Sequence, residues 1–349
     1  MLDPIAPRHV CLIKPSSLGD VVHALPALSA LKRLWPDARF AWVVNRGLVS
    51  LIDGHPDLDE VIPFDRAAIG PSPRGVANLA RFLAGVRRRR FDLAIDLQGL
   101  FRSGLMAWAT GAPVRVGLAE AREGATFFYT HRVPTGGPDV HAVDRMLRVV
   151  EAMGGSAVNP RFVASMNDDD RRWARGVLGQ VRGPRLVMNV GARWLTKRWP
   201  PERFAEVARR AVTELGAGLV AVGAPEDRGL VDALIAALSP LPCLDLCGRT
   251  TLPQLAAVAV GSDLFLSNDT GPLHLAAAAG ARVVGVYTCT DPKRTGPYGP
   301  RAVAVRSCVW CAPSFVKSCS RLECMAELTA DRVWPSVASG LASRDHAAA

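Results

Sequence analysis

A short polar turn near the start of the chain contains the residue types that bind an anionic or hydroxylated ligand. Residues 14–20 read KPSSLGD and join an apolar run to a helical pattern. Backbone amides at a helix N-terminus attract anions, and the hydroxyls of Ser16 and Ser17 suit a sugar. Asp20 is the carboxylate of this turn, and a carboxylate can accept a proton from an attacking hydroxyl. The alternative is that Ser16, Ser17 or Asp20 only caps the helix.

A second turn carries three cations within six residues. Residues 191–200 read GARWLTKRWP and include Arg193, Lys197 and Arg198, with Pro200 or Pro201 at the start of the next helix. Such a turn after a strand is a candidate phosphate clamp, although the same pattern also fits a solvated loop.

Two more strand-to-helix turns carry carboxylates. Residues 267–274 read SNDTGPLH, so Asp269, Thr270 and Gly271 lie where a pyrophosphate would meet the helix start. His274 follows one turn into that helix, where a lone histidine is more often a packing residue. In residues 223–227, GAPED, Glu226 could hold a ribose hydroxyl.

Four of the eight cysteines form a C-x2-C-x7-C-x4-C cluster near the end of the chain, namely Cys308, Cys311, Cys319 and Cys324. Four thiolates can hold Zn or Fe tetrahedrally. The second pair does not have C-x2-C spacing, so disulfides or reduced thiols remain alternatives.

The elements that must position these turns alternate between strand and helix. Short Val-, Ile- and Leu-rich runs followed by helical patterns are typical of parallel sheets covered on both faces. Predicted strands of the first half are 10–14, 40–45, 61–64, 91–97 and 114–117, and those of the second half are 185–190, 218–222, 243–246, 263–267 and 283–287. A polar stretch at 154–170 indicates a change of domain. We therefore predict an α/β chain with one domain over 1–160 and another over 161–349. Ligands of such sheets bind beyond the carboxyl ends of the strands, which is where the four turns lie.

Bulk composition narrows the class of protein. The chain has 349 residues, 49% of them hydrophobic, and a formal net charge of +10, which favours acidic partners. We interpret the run Arg87–Arg90 as a solvated helix end. No segment has the length of a signal or a membrane span, so we expect a cytoplasmic protein.

Three of the turns resemble those of the bacterial lipopolysaccharide heptosyltransferases of glycosyltransferase family nine. The matching residues are KPSSLGD leading into HALP at 14–26, TKRWP at 196–200 and NDTGPLH at 268–274. The similarity continues through FDLAIDLQG at 91–99. This resemblance implies a GT-B fold, two Rossmann-like doubly wound domains facing across a cleft. It also implies an ADP-heptose donor held by the C-terminal domain, and an acceptor on the inner core of lipopolysaccharide (Kdo or heptose) held by the N-terminal domain.

The resemblance also implies a role for each matching residue in an inverting transfer. Asp20 is the expected base, and Lys197 is the expected phosphate-contacting and catalytic residue, with Arg193 and Arg198 as helpers. The expected donor site also contains Glu226, Asp269, Thr270, Gly271 and His274, and the acceptor side contains Ser16, Ser17 and Gly19. Transfer itself is expected to need no cofactor, whatever the cysteine cluster holds.

Other functions remain open from the residues alone. The same fold could serve a nucleotide-sugar epimerase or hydrolase, or a transferase that uses another nucleotide-sugar or a protein acceptor. A non-enzyme alternative is a basic nucleic-acid-binding protein with a cysteine knuckle, but the basic residues are scattered, so we expect no nucleic-acid partner. The positive charge also suits peripheral contact with the cytoplasmic face of the inner membrane.

Overall fold

The computed structural model describes residues 6–343 and divides into two compact units between Ser165 and Met166. This division lies close to the predicted boundary after residue 160. Among residues 6–343, no helix is both long and apolar enough to cross a membrane.

The first unit is built around six strands, one more than predicted. Its elements are β1 His9–Ile13, α1 Leu18–Leu34, β2 Arg39–Asn45, α2 Val49–Ile52, β3 Glu60–Phe64, α3 Pro73–Arg88, β4 Leu93–Asp96, α4 Phe101–Ala109, β5 Val114–Leu118, β6 His131–Val133 and α5 Ala142–Ala152. Only three residues form β6, which is too short for a recognisable apolar pattern.

The strands of this unit form a parallel sheet in the order β3-β2-β1-β4-β5-β6. Leu12 in the central strand β1 is aligned with Trp42 of β2 and Ile95 of β4, and all three are fully buried. Helices α3 and α4 pack on the sheet through apolar residues such as Val86 and Met106. The near-continuous apolar strands follow from this burial.

The second unit repeats this plan. Its elements are α6 Asp168–Leu178, β7 Arg185–Asn189, α7 Pro201–Leu215, β8 Gly218–Val222, α8 Arg228–Leu238, β9 Cys243–Asp245, α9 Leu252–Val260, β10 Leu264–Asn268, α10 Gly271–Ala278, β11 Val283–Tyr287, α11 Pro292–Thr295, β12 Ala302–Arg306, α12 Glu323–Glu327 and α13 Ala330–Ala342. Its strands are parallel in the order β12-β11-β10-β7-β8-β9. Read from the other edge, this order is the same as that of the first unit.

The sequence pattern missed two long helices of the second unit, α6 and α13, and the short helices α11 and α12. Helix α6 starts inside the stretch 154–170, where its three leading aspartates look like part of a polar linker. Aspartates in fact favour a helix N-terminus, and here the side chain of Asn167 accepts a hydrogen bond from the backbone N–H of Asp170. Helix α13 contains Pro335, which weakens a helical pattern, yet α13 buries Val333 and Val337 in the core of this unit.

Each sheet has a point where the strand order reverses, between β1 and β4 in the first unit and between β7 and β10 in the second. Doubly wound sheets bind ligands at such a switch point, beyond the carboxyl ends of the strands. The turns at 14–20, 191–200 and 269–271 follow β1, β7 and β10. Three of the four chemically interesting turns therefore lie at the switch points of their own units.

Candidate functional site

The turn after β1 is held by a capping box. Ser17 is the N-cap of α1, and its backbone N–H and hydroxyl both donate to Oδ2 of Asp20, at 2.9 Å and 2.6 Å. The capping alternative therefore holds for Ser17 and Asp20. Asp20 is nevertheless only half-buried, so capping orients this carboxylate without removing it from solvent. Gly19 is buried, whereas Ser16 and Ser17 are more exposed.

A buried lysine supports this turn from below. Lys14 is 4% exposed, and its Nζ donates to the carbonyl of Leu97 at 2.9 Å. Burial lowers the pKa of Lys14, while the nearby carboxylates of Asp20 and Asp96 act in the opposite direction. The backbone N–H of Ser16 donates to Oε1 of Gln98 at 3.4 Å. The residues after β1 and β4 therefore form one connected polar network.

Asp96, at the end of β4, is fully buried in that network. Its carboxylate accepts from the Tyr129 hydroxyl at 2.6 Å and from the backbone of Gln98 and Gly99 at 2.8 Å and 3.1 Å. Burial raises the pKa of Asp96 above its ordinary value, and these hydrogen bonds partly counteract that effect. Asp96 thus fixes the loop that contacts Ser16.

In the second unit, Asp269 contacts two other candidate donor-binding residues, Lys197 and His274. Its Oδ2 pairs with Nζ of Lys197 at 2.5 Å and accepts from the Thr290 hydroxyl at 2.6 Å, while Oδ1 lies 3.4 Å from Nε2 of His274. Asp269 is 3% exposed and Lys197 is 19% exposed. The structure therefore brings Lys197 together with Asp269 and His274, although the turn after β7 and the turn after β10 are separate segments of the chain.

The electrostatics of this cluster follow from its burial. Burial alone would raise the pKa of Asp269, but the hydrogen bond with His274 and the adjacent Lys197 ammonium hold it well below its ordinary value. Burial and the Asp269 carboxylate raise the pKa of Tyr287 well above the usual range, which keeps this phenol protonated. Asp269 is thus ionised at neutral pH, and its negative charge lies next to the Lys197 ammonium.

Local packing fixes Lys197 in this place. Residues Leu195–Lys197 form a single 3-10 turn, and the Lys197 ammonium lies 4.7 Å from the ring centre of Trp194. Trp199 is fully buried and receives its support from Asn268, whose Oδ1 accepts from the Trp199 backbone N–H at 3.1 Å. Helix α7 then begins at Pro201, as predicted. The turn is therefore anchored at its end to β10.

Thr270 and Gly271 lie at the start of α10. Thr270 is the N-cap with extended backbone, and Gly271 is the first helical residue. Both are partly exposed, whereas His274 is buried in the same helix. This geometry presents a helix N-terminus beside Lys197 and Asp269, which suits an anionic ligand.

Arg193 and Glu226 are exposed. Glu226 lies in a 3-10 turn, Pro225–Asp227, after β8. The next residue, Asp227, lies so close to Gly191 that a Cβ atom at residue 191 would come within 2.2 Å of its carboxylate. Gly191 therefore lets the turns after β7 and β8 approach each other.

Arg198 donates to the carbonyl of Ala192 at 2.7 Å and so stabilises its own turn.

The clustered cysteines do not converge on one point. All are free thiols, with Cys308 and Cys319 exposed, Cys311 half-buried and Cys324 buried. Burial, with the nearby thiols of Cys289 and Cys311, raises the pKa of Cys324. Across residues 6–343, no three His, Cys, Asp or Glu side chains are placed to hold one metal ion. The Zn or Fe site at these four cysteines stays a prediction.

Several residues of these sites were not predicted from the sequence. Thr290 and Trp194 contact Asp269 and Lys197, and Lys14 and Asp96 lie under the acceptor-side turn. Trp194 and Thr290 follow the carboxyl ends of β7 and β11, and Lys14 and Asp96 lie at those of β1 and β4. Position after a strand was therefore the signal that could have identified them.

Comparison with known proteins agrees with this geometry. The sequence model of glycosyltransferase family 9 (heptosyltransferase) matches residues 79–325. Lipopolysaccharide heptosyltransferase 1 of Pseudomonas aeruginosa is 33% identical, with 89% of this chain and 87% of the relative covered. Lipopolysaccharide core heptosyltransferase OpsX of Haemophilus influenzae is 28% identical, with 84% and 82% covered.

A solved relative extends the similarity to the fold. E. coli heptosyltransferase WaaC, solved with ADP, aligns with a TM-score of 0.73 and 26% identity, covering 95% of this chain and 99% of that one. The predicted fold class, an α/β GT-B protein with two Rossmann-like units, is confirmed, and so is the prediction of an enzyme. This chain belongs to glycosyltransferase family 9, the lipopolysaccharide heptosyltransferase family.

Proposed function

We propose that this protein is an inverting transferase that moves heptose from ADP-L-glycero-D-manno-heptose to the inner core (Kdo or heptose) of lipopolysaccharide. The observation that carries the proposal is the Lys197–Asp269–His274 cluster at the switch point of the second sheet, in a chain of the heptosyltransferase family. A buried anion that fixes a cation beside a helix N-terminus is suited to a diphosphate.

On the acceptor side, Asp20 is the proposed base. Its carboxylate is oriented by two hydrogen bonds from Ser17 and remains half-exposed, so it can reach a proton on a bound sugar. In the proposed step the acceptor oxygen forms a bond to the anomeric carbon as its proton passes to Asp20. The bond from that carbon to the diphosphate breaks, and ADP leaves with the electron pair.

On the donor side, Lys197 and the start of α10 are proposed to neutralise the leaving diphosphate. Lys197 keeps 19% exposure although Asp269 pairs with it, so its ammonium remains accessible to an anion. Thr270 and Gly271 supply the helix start. Charge stabilisation of this kind contributes to the rate because it acts on charge that develops during bond breaking. Exposed Arg193 and Glu226 are proposed to contact the phosphates and the ribose.

The choice of ADP-heptose is supported by the solved relative. E. coli WaaC was solved with ADP and with ADP-2-deoxy-2-fluoro heptose, and it is 26% and 25% identical to this chain in those two comparisons. We expect calorimetry on the purified protein to show binding of ADP and ADP-heptose in preference to UDP and GDP. A preference for UDP or GDP would reject the donor and redirect the search to another nucleotide-sugar.

A mutation with a matched control tests the base. Asp20→Asn should lower the transfer rate by about 10²–10⁴, the usual contribution of a general base, with ADP affinity unchanged. Asp170→Asn is the control, because Asp170 is the capping-box partner of Asn167 in α6 and is also half-buried. Equal rates for Asp20→Asn and wild type would reject the role of Asp20. Retention of configuration at the anomeric carbon, read by NMR of the product, would reject inversion.

We further propose that the protein works in the cytoplasm, in peripheral contact with the inner membrane. The acceptor of this reaction is a glycolipid, and the net charge of +10 suits an anionic leaflet. Transfer to a protein instead of purified lipopolysaccharide core would favour the alternative acceptor.

A further inference from the structure

Three large aromatic side chains of the first unit are exposed on one surface. Phe101 and Trp108 of α4 are 50% and 57% exposed, and Phe127, in the 3-10 turn Ala125–Phe128, is 86% exposed. Phe101, Leu105 and Trp108 are spaced i, i+4 and i+7, so they lie along one side of α4. Contiguous exposed apolar surface of this kind marks sites of protein or membrane interaction.

The turn that carries Phe127 belongs to the same surface. The neighbouring Phe128 packs edge to face on Phe101, with ring centres 5.4 Å apart. A Cβ atom on Gly104, in the middle of α4, would come within 2.7 Å of the Phe128 ring, so this turn lies directly on the helix. Phe127 is thus held next to the α4 stripe while its own ring points away from the core.

Helix α3, which packs beside α4, adds positive charge. Residues 66–91 contain seven arginines and no acidic residue, and residues 97–119 contain no acidic residue either. Arg74, Arg81 and Arg88 repeat every seven residues along α3 and are all exposed. The Arg87 guanidinium lies against Gly111, just beyond Trp108. The aromatic stripe and the arginines together form the α3–α4 face.

The α3–α4 face is also close to the candidate acceptor turn. Helix α4 follows β4, the strand next to β1, and the loop before it contacts that turn through Gln98 and Ser16 at 3.4 Å. Phe101 comes three residues after Gln98. A membrane lying on this face would therefore lie near the end of the sheet where Asp20 is positioned.

We propose that the α3–α4 face docks on an anionic lipid bilayer. Aromatic rings that insert at the headgroup level, flanked by arginines that attract anionic headgroups, are the two components of interfacial binding. This inference deepens the proposed function, since it assigns the residues that hold the enzyme next to a lipid-anchored acceptor. A nucleic-acid duplex would be met mainly by cations, whereas exposed Trp and Phe beside arginines suit the headgroup region of a bilayer. Stacking of single-stranded RNA on the rings is the alternative that the test includes.

The test measures partition of the full chain into vesicles of phosphatidylglycerol and phosphatidylethanolamine, compared with pure phosphatidylcholine. Wild type should bind the anionic vesicles and lose binding as salt rises. The double variant Trp108→Ser, Phe127→Ser should partition at least about tenfold less, because two inserted rings are lost. Arg81→Gln should lower partition by about fivefold at low salt. Trp310→Ser removes a 78% exposed tryptophan from the second unit and should change nothing.

The proposal would be overturned by no binding of wild type to anionic vesicles, by equal binding of the double variant, or by binding of RNA in place of vesicles. A wild-type dimer that the double variant converts to monomer would also overturn it, because the face would then join two copies. Turnover on a delipidated, soluble acceptor should be equal in wild type and the double variant. Absence of all turnover with intact vesicle binding would reject the proposed function and leave the docking surface standing.

Discussion

Asp269→Asn tests whether the buried carboxylate organises the donor-side cluster. Removing one partner of a buried ion pair costs about 3–5 kcal/mol. Lys197 retains 19% exposure, so water screens the ammonium left behind, and we expect about 3 kcal/mol, the lower end of that range. In a unit of this size such a loss lowers the melting temperature by about 6–12 °C, which calorimetry resolves.

The pH dependence of this loss has a defined sign. In the folded chain the pKa of Asp269 lies below its ordinary value of 3.8, so the folded state binds this proton more weakly than the unfolded chain. The stabilisation is therefore present above about pH 4 and is lost as the pH falls below it. Between about pH 6 and about pH 3, wild type should lose more stability than Asp269→Asn.

Asp331→Asn is the matched control for this substitution. Asp331 belongs to the same unit and pairs with Arg210 at 2.9 Å, but it is 89% exposed. An exposed pair contributes about 1 kcal/mol or less, so the melting temperature should hardly change. Equal effects of the two substitutions, or an unchanged pH profile for Asp269→Asn, would refute the role given to burial.

Three other predictions concern the same sites. Lys197→Ala should weaken ADP binding and lower the transfer rate together. The control Arg172→Ala removes an exposed cation of α6 and should leave both unchanged. Unaltered ADP affinity in Lys197→Ala would contradict a role of Lys197 in the phosphate site. Tyr129→Phe removes a hydrogen bond that lowers the pKa of buried Asp96, so this pKa should rise further. Chemical denaturation should then show a stability cost that grows as the pH rises above the ordinary range of a carboxyl group, and a constant cost would contradict the assignment. Elemental analysis of the purified protein decides the cysteine prediction, since about one Zn or Fe per chain would support a metal centre and a metal-free, active protein would reject it.

Much of the fold could be predicted because buried parallel strands have a simple pattern. Ten of the twelve strands are uninterrupted runs such as Arg185–Asn189, and the polar turns after them were recognisable at once. The missed strands β6 and β12 both lie at sheet edges. Strand β6 has only three residues, whereas β12, Ala302–Arg306, is apolar in sequence but only partly buried. The edge strands β3 and β9 were predicted, so edge position alone does not account for these two omissions.

The candidate site was predictable in its residue types and not in its contacts. Lys197 and Asp269 were each expected near a phosphate, yet their pairing joins residues 72 apart and depends on the adjacency of β7 and β10. The strand order follows from topology, which a single sequence pattern does not contain. For Ser17 and Asp20, the sequence left capping and catalysis as alternatives, and the structure shows that capping orients the carboxylate.

The contacts of Asp269 determine at which stage of folding the second unit can form its candidate donor site. Its contacts reach 72 residues back to Lys197 and 21 residues forward to Thr290, so they close only when β7, β10 and β11 are all paired. Contacts of such long range form late, because the loops between them must be closed first. Under the proposed function, nucleotide affinity should therefore report the pairing of these three strands, and a nucleotide present during refolding should stabilise only chains that have reached that stage.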